Sequence, residues 1–155
     1  MMKPASLRDA LLKAVPAVAA NPDMLTVSVT GGTVVTTAAT SLSYEKQYPL
    51  TLRLEGFKED INTLLVPIIA WLRDNQPDIM TRGEEQKSGF SWRAESSEEG
   101  GQNLTLTLQL TERTLVTESD GALYATDLPE PLPEPPVTRP KELYVHGELV
   151  SRWAE

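Results

Sequence analysis

Two stretches of this chain alternate apolar and polar residues, and two others place apolar residues at helical spacing. The pattern therefore predicts strands and helices in one chain. The clearest alternation runs from Leu42 to Glu55. Leu42, Tyr44, Tyr48, Leu50, Leu52 and Leu54 share one face, interrupted by Lys46; Ser43, Glu45, Gln47, Thr51, Arg53 and Glu55 share the other. One dry face and one wet face predict a long antiparallel strand, and Pro49, which has no N–H to donate, predicts an edge or a bulge. Leu104, Leu106, Leu108 and Leu110 alternate with Thr105, Thr107 and Gln109 in a second strand, which 111–117 can extend after a bend.

The helical stripes flank the first of these strands. Leu7, Leu11, Ala14, Val15 and Val18 predict a helix near residues 6–19, with Ser6 as cap, Asp9 completing an acidic capping box and Pro16 weakening the last turn. Ile61, Leu64, Leu65, Ile68, Trp71 and Leu72 predict a second helix, stopped by Asn75-Gln76-Pro77. Pro67 lies inside that stripe, so the helix is either kinked there or begins there; a single kinked helix is the favoured reading. Leu25, Val27 and Val29, then Gly31-Gly32, then 33–36 predict a hairpin. Phe90, Trp92 and Ala94 predict a strand, 81–88 a polar loop, 95–101 an exposed turn, and Asp120-Gly121 a turn into 122–124. Trp71 and Trp92 lie on apolar stripes and are assigned to the core. The fold class is α+β, a mainly antiparallel sheet packed by two helices.

Half of the twelve prolines fall within 128–140. Such a run can join neither ladder nor helix, and at about 3.1 Å per residue it predicts a semi-rigid arm on the order of 40 Å long. The organisation is thus a domain over 1–127, a Pro-rich linker over 128–140 and a docking segment over 141–155. Within that segment, Leu143-Tyr144-Val145, His146-Gly147 and Glu148-Leu149-Val150 read as a short hairpin. A lone two-stranded hairpin is marginal, so it is expected to dock on its own domain or on a neighbour. Trp153 can pack home or anchor in a pocket of another subunit.

Composition narrows the chemistry. The net charge of −8 argues against a phosphate backbone as principal partner. The chain has no cysteine and one histidine, His146, whose place beside Gly147 reads as a turn residue. Glu84-Glu85 and Glu98-Glu99 lie in polar loops and read as solvated charge rather than a glycosidase pair. Asp23, Asp60 and Asp120 lack calcium-loop spacing, and no Gly-rich phosphate cradle is present. A hydrolase built on His146 would lack a base–nucleophile–orienter set. The expectation is no enzyme, no cofactor and no metal site. With no signal core and no apolar run of bilayer length, it is also a soluble chain made in the cytoplasm, without a membrane partner.

Several segments, in this order, carry a family resemblance. They are Lys3-Pro4-Ala5-Ser6-Leu7-Arg8-Asp9-Ala10-Leu11, Ala39-Thr40-Ser41-Leu42-Ser43-Tyr44-Glu45, the run from Val66-Pro67-Ile68 through Trp71-Leu72-Arg73-Asp74-Asn75-Gln76-Pro77, Leu110-Thr111-Glu112-Arg113 and Tyr144-Val145-His146-Gly147-Glu148-Leu149. Together they resemble the tail completion protein R family of P-two-like contractile-tailed phages and prophages, over nearly the full chain. The resemblance implies a non-enzymatic virion protein at the head-proximal end of the tail, made in the host cytoplasm. It implies a tail-terminator-like fold and a six-fold ring of the chain itself, bound to tail tube or sheath proteins and to neck or connector proteins. DNA would pass through such a ring without specific recognition, past acidic candidates Glu84, Glu85, Glu98 and Glu99. Leu143, Tyr144, Val145, Leu149, Val150 and Trp153 are the expected protein contacts. The alternative is an assembly chaperone or adaptor absent from the finished particle.

Overall fold

The computed structural model describes residues 1–36, 41–80, 89–129 and 141–153. The two alternating stretches become β3 (Tyr44–Phe57) and β5 (Gln102–Ser119), which pair antiparallel from Tyr44↔Thr114 to Leu54↔Leu104. This register puts Tyr48, Leu50, Leu52 and Leu54 level with Leu110, Leu108, Leu106 and Leu104, all buried on one face. Each such leucine contributes about 1.5–3 kcal/mol by leaving water. The helices α1 (Lys3–Ala14), α2 (Pro16–Ala20) and α3 (Asn62–Asn75) cover that face through Leu7, Leu11, Val15, Val18, Leu64, Ile68, Trp71 and Leu72. The result is a two-layer α+β domain with an antiparallel sheet.

Around this centre lie β1 (Leu25–Ser28) and β2 (Thr33–Thr36) on the outer side of β3. On the far side of β5 lie β4 (Phe90–Ser96) and β6 (Ala122–Leu128). The hairpin expected from 25–36 does not form: β1 and β2 each pair with β3, at 51–54 and 44–47, as one interrupted edge. β3 is correspondingly an interior strand, not an edge. Pro49 explains the interruption. The Gln109 N–H points away from β3, to the Gly89 carbonyl at 2.8 Å. Its partner Pro49 therefore directs its own backbone toward the outer edge, where it has no donor for a neighbour.

Other expectations need correction. α1 begins at Lys3 rather than near residue 6, with Pro4 in its first turn, so Ser6 is inside the helix and makes no cap. The Ser6 hydroxyl instead accepts the Trp71 indole N–H at 3.0 Å. The first helical stretch breaks at Val15 (φ −108°, ψ 105°), since Pro16 disfavours helical geometry in the residue before it. The second helix starts at Asn62, with Ile61 just before it, and Pro67 is buried within a single α3. Trp92 is on the core-side face of β4, but β4 is an edge strand beyond the helices, so the ring is 51% exposed. Leu42 precedes β3 and is likewise exposed. The turn at Asp120-Gly121 is as expected, with φ of 53° and 76°, and β5 runs through residues 111–119 as one strand.

Between β4 and β6 the edge of β5 is open, and side chains fill it. Thr111 donates its N–H to Gln76 Oε1 at 2.9 Å, and its carbonyl accepts from Lys3 Nζ. Next to it, buried Glu112 accepts the Tyr48 hydroxyl at 2.7 Å and the backbone N–H groups of Met2 (2.6 Å) and Lys3 (3.1 Å). A carboxylate from the sheet thus caps the first helix, the task the sequence assigned to Ser6.

Candidate protein-contact surfaces

The expected C-terminal hairpin forms as β7 (Glu142–Val145) and β8 (Glu148–Arg152), a separate two-stranded sheet. His146-Gly147 makes its turn, with φ of 52° and 81° at the two positions. The hairpin packs on the helix layer of its own chain. Leu143 and Ser151 are buried, and the Ser151 hydroxyl donates to the Ala14 carbonyl at the end of α1. His146 Nε2 lies 3.1 Å from Asp60 Oδ2. Asp60 precedes α3 and accepts the Asn62 N–H at 2.8 Å; that bond first, and His146 second, hold its carboxyl below the usual range. The Trp153 N–H closes the hairpin onto the Lys141 carbonyl at 2.8 Å.

This docking divides the six expected contact residues. Leu143 faces the body of the chain, Val145, Val150 and Trp153 are half-buried, and Tyr144 and Leu149 stand exposed. Glu98 and Glu99 are exposed in the β4–β5 turn. That turn borders a cavity of about 650 Å³ also lined by Asp23, Glu55 and Asn103. Glu84 and Glu85 lie outside the described residues, as does the expected linker from residue 130 onward.

A second apolar surface escaped the sequence reading. Beyond Thr114, β5 leaves β3 and continues with β6 as a projecting hairpin. The pairings Arg113↔Leu128, Leu115↔Thr126 and Thr117↔Tyr124 put Leu115, Tyr124 and Leu128 on the face away from the helices, all exposed. Leu123 is exposed on the other face. The alternation of 111–117 was visible, but nothing in it showed that the core-covering helices stop short. Asp127 fastens the base of this hairpin. It accepts the Thr114 hydroxyl at 2.8 Å and meets Lys46 Nζ at 3.2 Å and the Met1 ammonium at 3.3 Å. Thr114 first, then Lys46 and the terminal amine, bring its carboxyl down to about 2.

His146 pairs with a carboxylate, and among the described residues no group of three His, Cys, Asp or Glu side chains is placed to hold a metal. A sequence model of the P2 phage tail completion protein R (GpR) family matches residues 1–131. The chain belongs to this family. It is 51% identical over 155 residues to the tail completion protein R of Escherichia phage P2, covering all of both chains. The role of this member is accordingly structural, in phage tail completion, which places it with the virion tail and other tail proteins. No solved structure matches the chain. Among the described residues no helix is long and apolar enough to cross a membrane.

Proposed function

We propose that this chain completes the tail at its head-proximal end, as a non-enzymatic, ring-forming terminator or neck component of the virion. Its partners are further copies of itself in a hexameric ring, tail tube or sheath subunits, and neck or connector proteins. The observation that carries this reading is family membership, at 51% identity along the whole length of a tail completion protein. The shape of the molecule supports it. Two hairpins, one docked on the helices and one continuing beyond the end of β3, carry exposed side chains, Tyr144 and Leu149 on the first and Leu115, Tyr124 and Leu128 on the second, that have no core to join. In this reading Leu143 anchors the C-terminal hairpin, while Tyr144, Leu149 and the half-buried Val145, Val150 and Trp153 meet a neighbour.

The net charge of −8 suits a ring through which DNA passes without adhering. Glu98 and Glu99 are pore-facing candidates, with Glu84 and Glu85. Assembly takes place in the host cytoplasm. Deletion of residues 128–155 tests the arm: the truncated chain should fold but leave tails unjoined, and fully infectious particles would remove the arm from the mechanism. Mass spectrometry of purified virions tests the placement. Absence of the chain there would replace the terminator by an assembly chaperone or adaptor.

A further inference from the structure

The free edges of the main sheet differ in how they are protected. At β1 the Leu25 carbonyl accepts from Arg8 Nη1 at 3.1 Å. On β5, the Val116 N–H is taken by the Ser43 hydroxyl at 2.9 Å, and Thr111 by Gln76 and Lys3. Arg93 and Glu95 punctuate β4. Among the described residues no such device guards β2 or β6; the one charge there, Asp127, is turned back to Thr114, Lys46 and the Met1 ammonium. The sequences Thr-Val-Val-Thr and Ala-Leu-Tyr-Ala-Thr-Asp-Leu hold no lysine, arginine or proline, and their apolar side chains are exposed. Unprotected apolar edges are templates for strand addition.

The direction of the ladder tells which groups are free. Gln109 and Thr111 direct their N–H groups away from β3 and Val116 directs its own toward β3's side, so odd residues of β5 bond toward β4 and β6. Leu128, Thr126, Tyr124 and Ala122 then bond to β5, which leaves the N–H and C=O of Leu123, Ala125 and Asp127 pointing outward. The same alternation carried across β3 leaves Val34 and Thr36 pointing outward from β2.

These two edges lie on opposite sides of one sheet, and their polarities are complementary. β6 runs parallel to β3, and β2 runs antiparallel to it. We propose that copies of this chain join head to tail by antiparallel pairing of β6 in one copy with β2 in the next, making one sheet continuous across subunits. A copy laid alongside with its strand axis kept brings β2 to β6 in the antiparallel sense, as a heterologous ring requires. β2 lies level with residues 111–114 of β5 and β6 with 113–119, so neighbouring copies are staggered along the strands, as in closed sheets. The join sets Ala125 opposite Val34, with Leu123 diagonal to Val34 on the same face, and Tyr124 opposite Val35 on the other. It rests on the ring reading above and specifies its interface.

The chain has no cysteine, so introduced thiols report cleanly. Val34→Cys and Ala125→Cys are made singly and together, and the purified proteins are treated with a short bis-maleimide. Mixing the single variants should yield a cross-linked heterodimer that neither yields alone, and the double variant should yield a ladder of multimers. Leu123→Pro, which removes an outward N–H without breaking a bond to β5, should erase that ladder while the far-UV circular dichroism is kept. Cross-linked dimers of Ala125→Cys alone would replace this interface by a two-fold β6–β6 pair. No cross-link in either the mixture or the double variant, or a ladder that survives Leu123→Pro, overturns it. Tail completion is scored separately, by restoring joined particles to a prophage that lacks this chain. A protein that restores them without cross-linking loses this interface and keeps the proposed function; one that cross-links without restoring them does the reverse.

Discussion

Glu112 shows how one buried carboxylate can organise a small domain. It is 1% exposed, and its oxygens take a hydroxyl from the centre of the sheet and two N–H groups from the start of α1. Burial first, and the Glu112 carboxylate next, push the Tyr48 phenol far above its ordinary value, so Tyr48 remains a donor at any working pH. Tyr48→Phe takes one donor from a buried charge and should cost about 1.5–3 kcal/mol in urea denaturation, the range for hydrogen bonds to charged groups. A change below the scatter of such curves would mean that water replaces the hydroxyl. Asp127 gives a pH signature. Its carboxyl titrates at about 2 in the fold against an ordinary 3.8, so the unfolded chain takes up the proton first as pH falls. Its contribution is complete above about pH 4 and fades toward pH 2. Because the pair is partly exposed, Asp127→Asn should cost about 0.2–1 kcal/mol at pH 7 and almost nothing near pH 2. A penalty independent of pH would contradict the ion-pair account.

Among the elements, the interrupted edge strand depends on a position where no side chain fits. A Cβ on Gly32 would meet the Gln47 carbonyl oxygen and come within 2.8 Å of Tyr48 Cβ, because β2 rejoins the sheet directly against β3. Gly32→Ala should therefore cost about 1–3 kcal/mol and loosen β2, read as faster amide exchange at Thr33 and Val35. Normal protection there would show that the loop moves aside freely. Sequence alone placed β3, β5, α3 and the turns at 120–121 and 146–147, because period and turn chemistry are local. It could not pair them. Gly31-Gly32 looked like a hairpin turn, and only the missing N–H of Pro49, seen beside Gln109, shows why two short strands share one partner. Trp92 failed for a related reason: alternation tells which face a residue joins, but not how far the helix layer reaches across that face.

In the whole molecule, folding and contact-making are divided between different residues of the same hairpin. The C-terminal sequence showed a marginal hairpin with apolar residues on both sides, and it could not say which side would face home. The structure orients it: Leu143 and Ser151 meet the helices, while Tyr144 is 59% and Leu149 45% exposed. Two sets of variants should therefore separate. Leu143→Ala removes the buried anchor of an element that is unstable by itself, so residues 141–153 should undock and become sensitive to protease while the main sheet stays folded. The Tyr144→Ser/Leu149→Ser double variant removes only exposed groups, so its stability should lie within about 0.5 kcal/mol of the parent, with the hairpin still protected. If these side chains meet a neighbour in the tail, that double variant nevertheless fails to yield joined particles, since loss of two apolar anchors weakens a small interface most. Joined particles at parental yield from Tyr144→Ser/Leu149→Ser, with the Leu143→Ala variant defective, would mean that the hairpin acts by closing over its own helices rather than by touching the next protein.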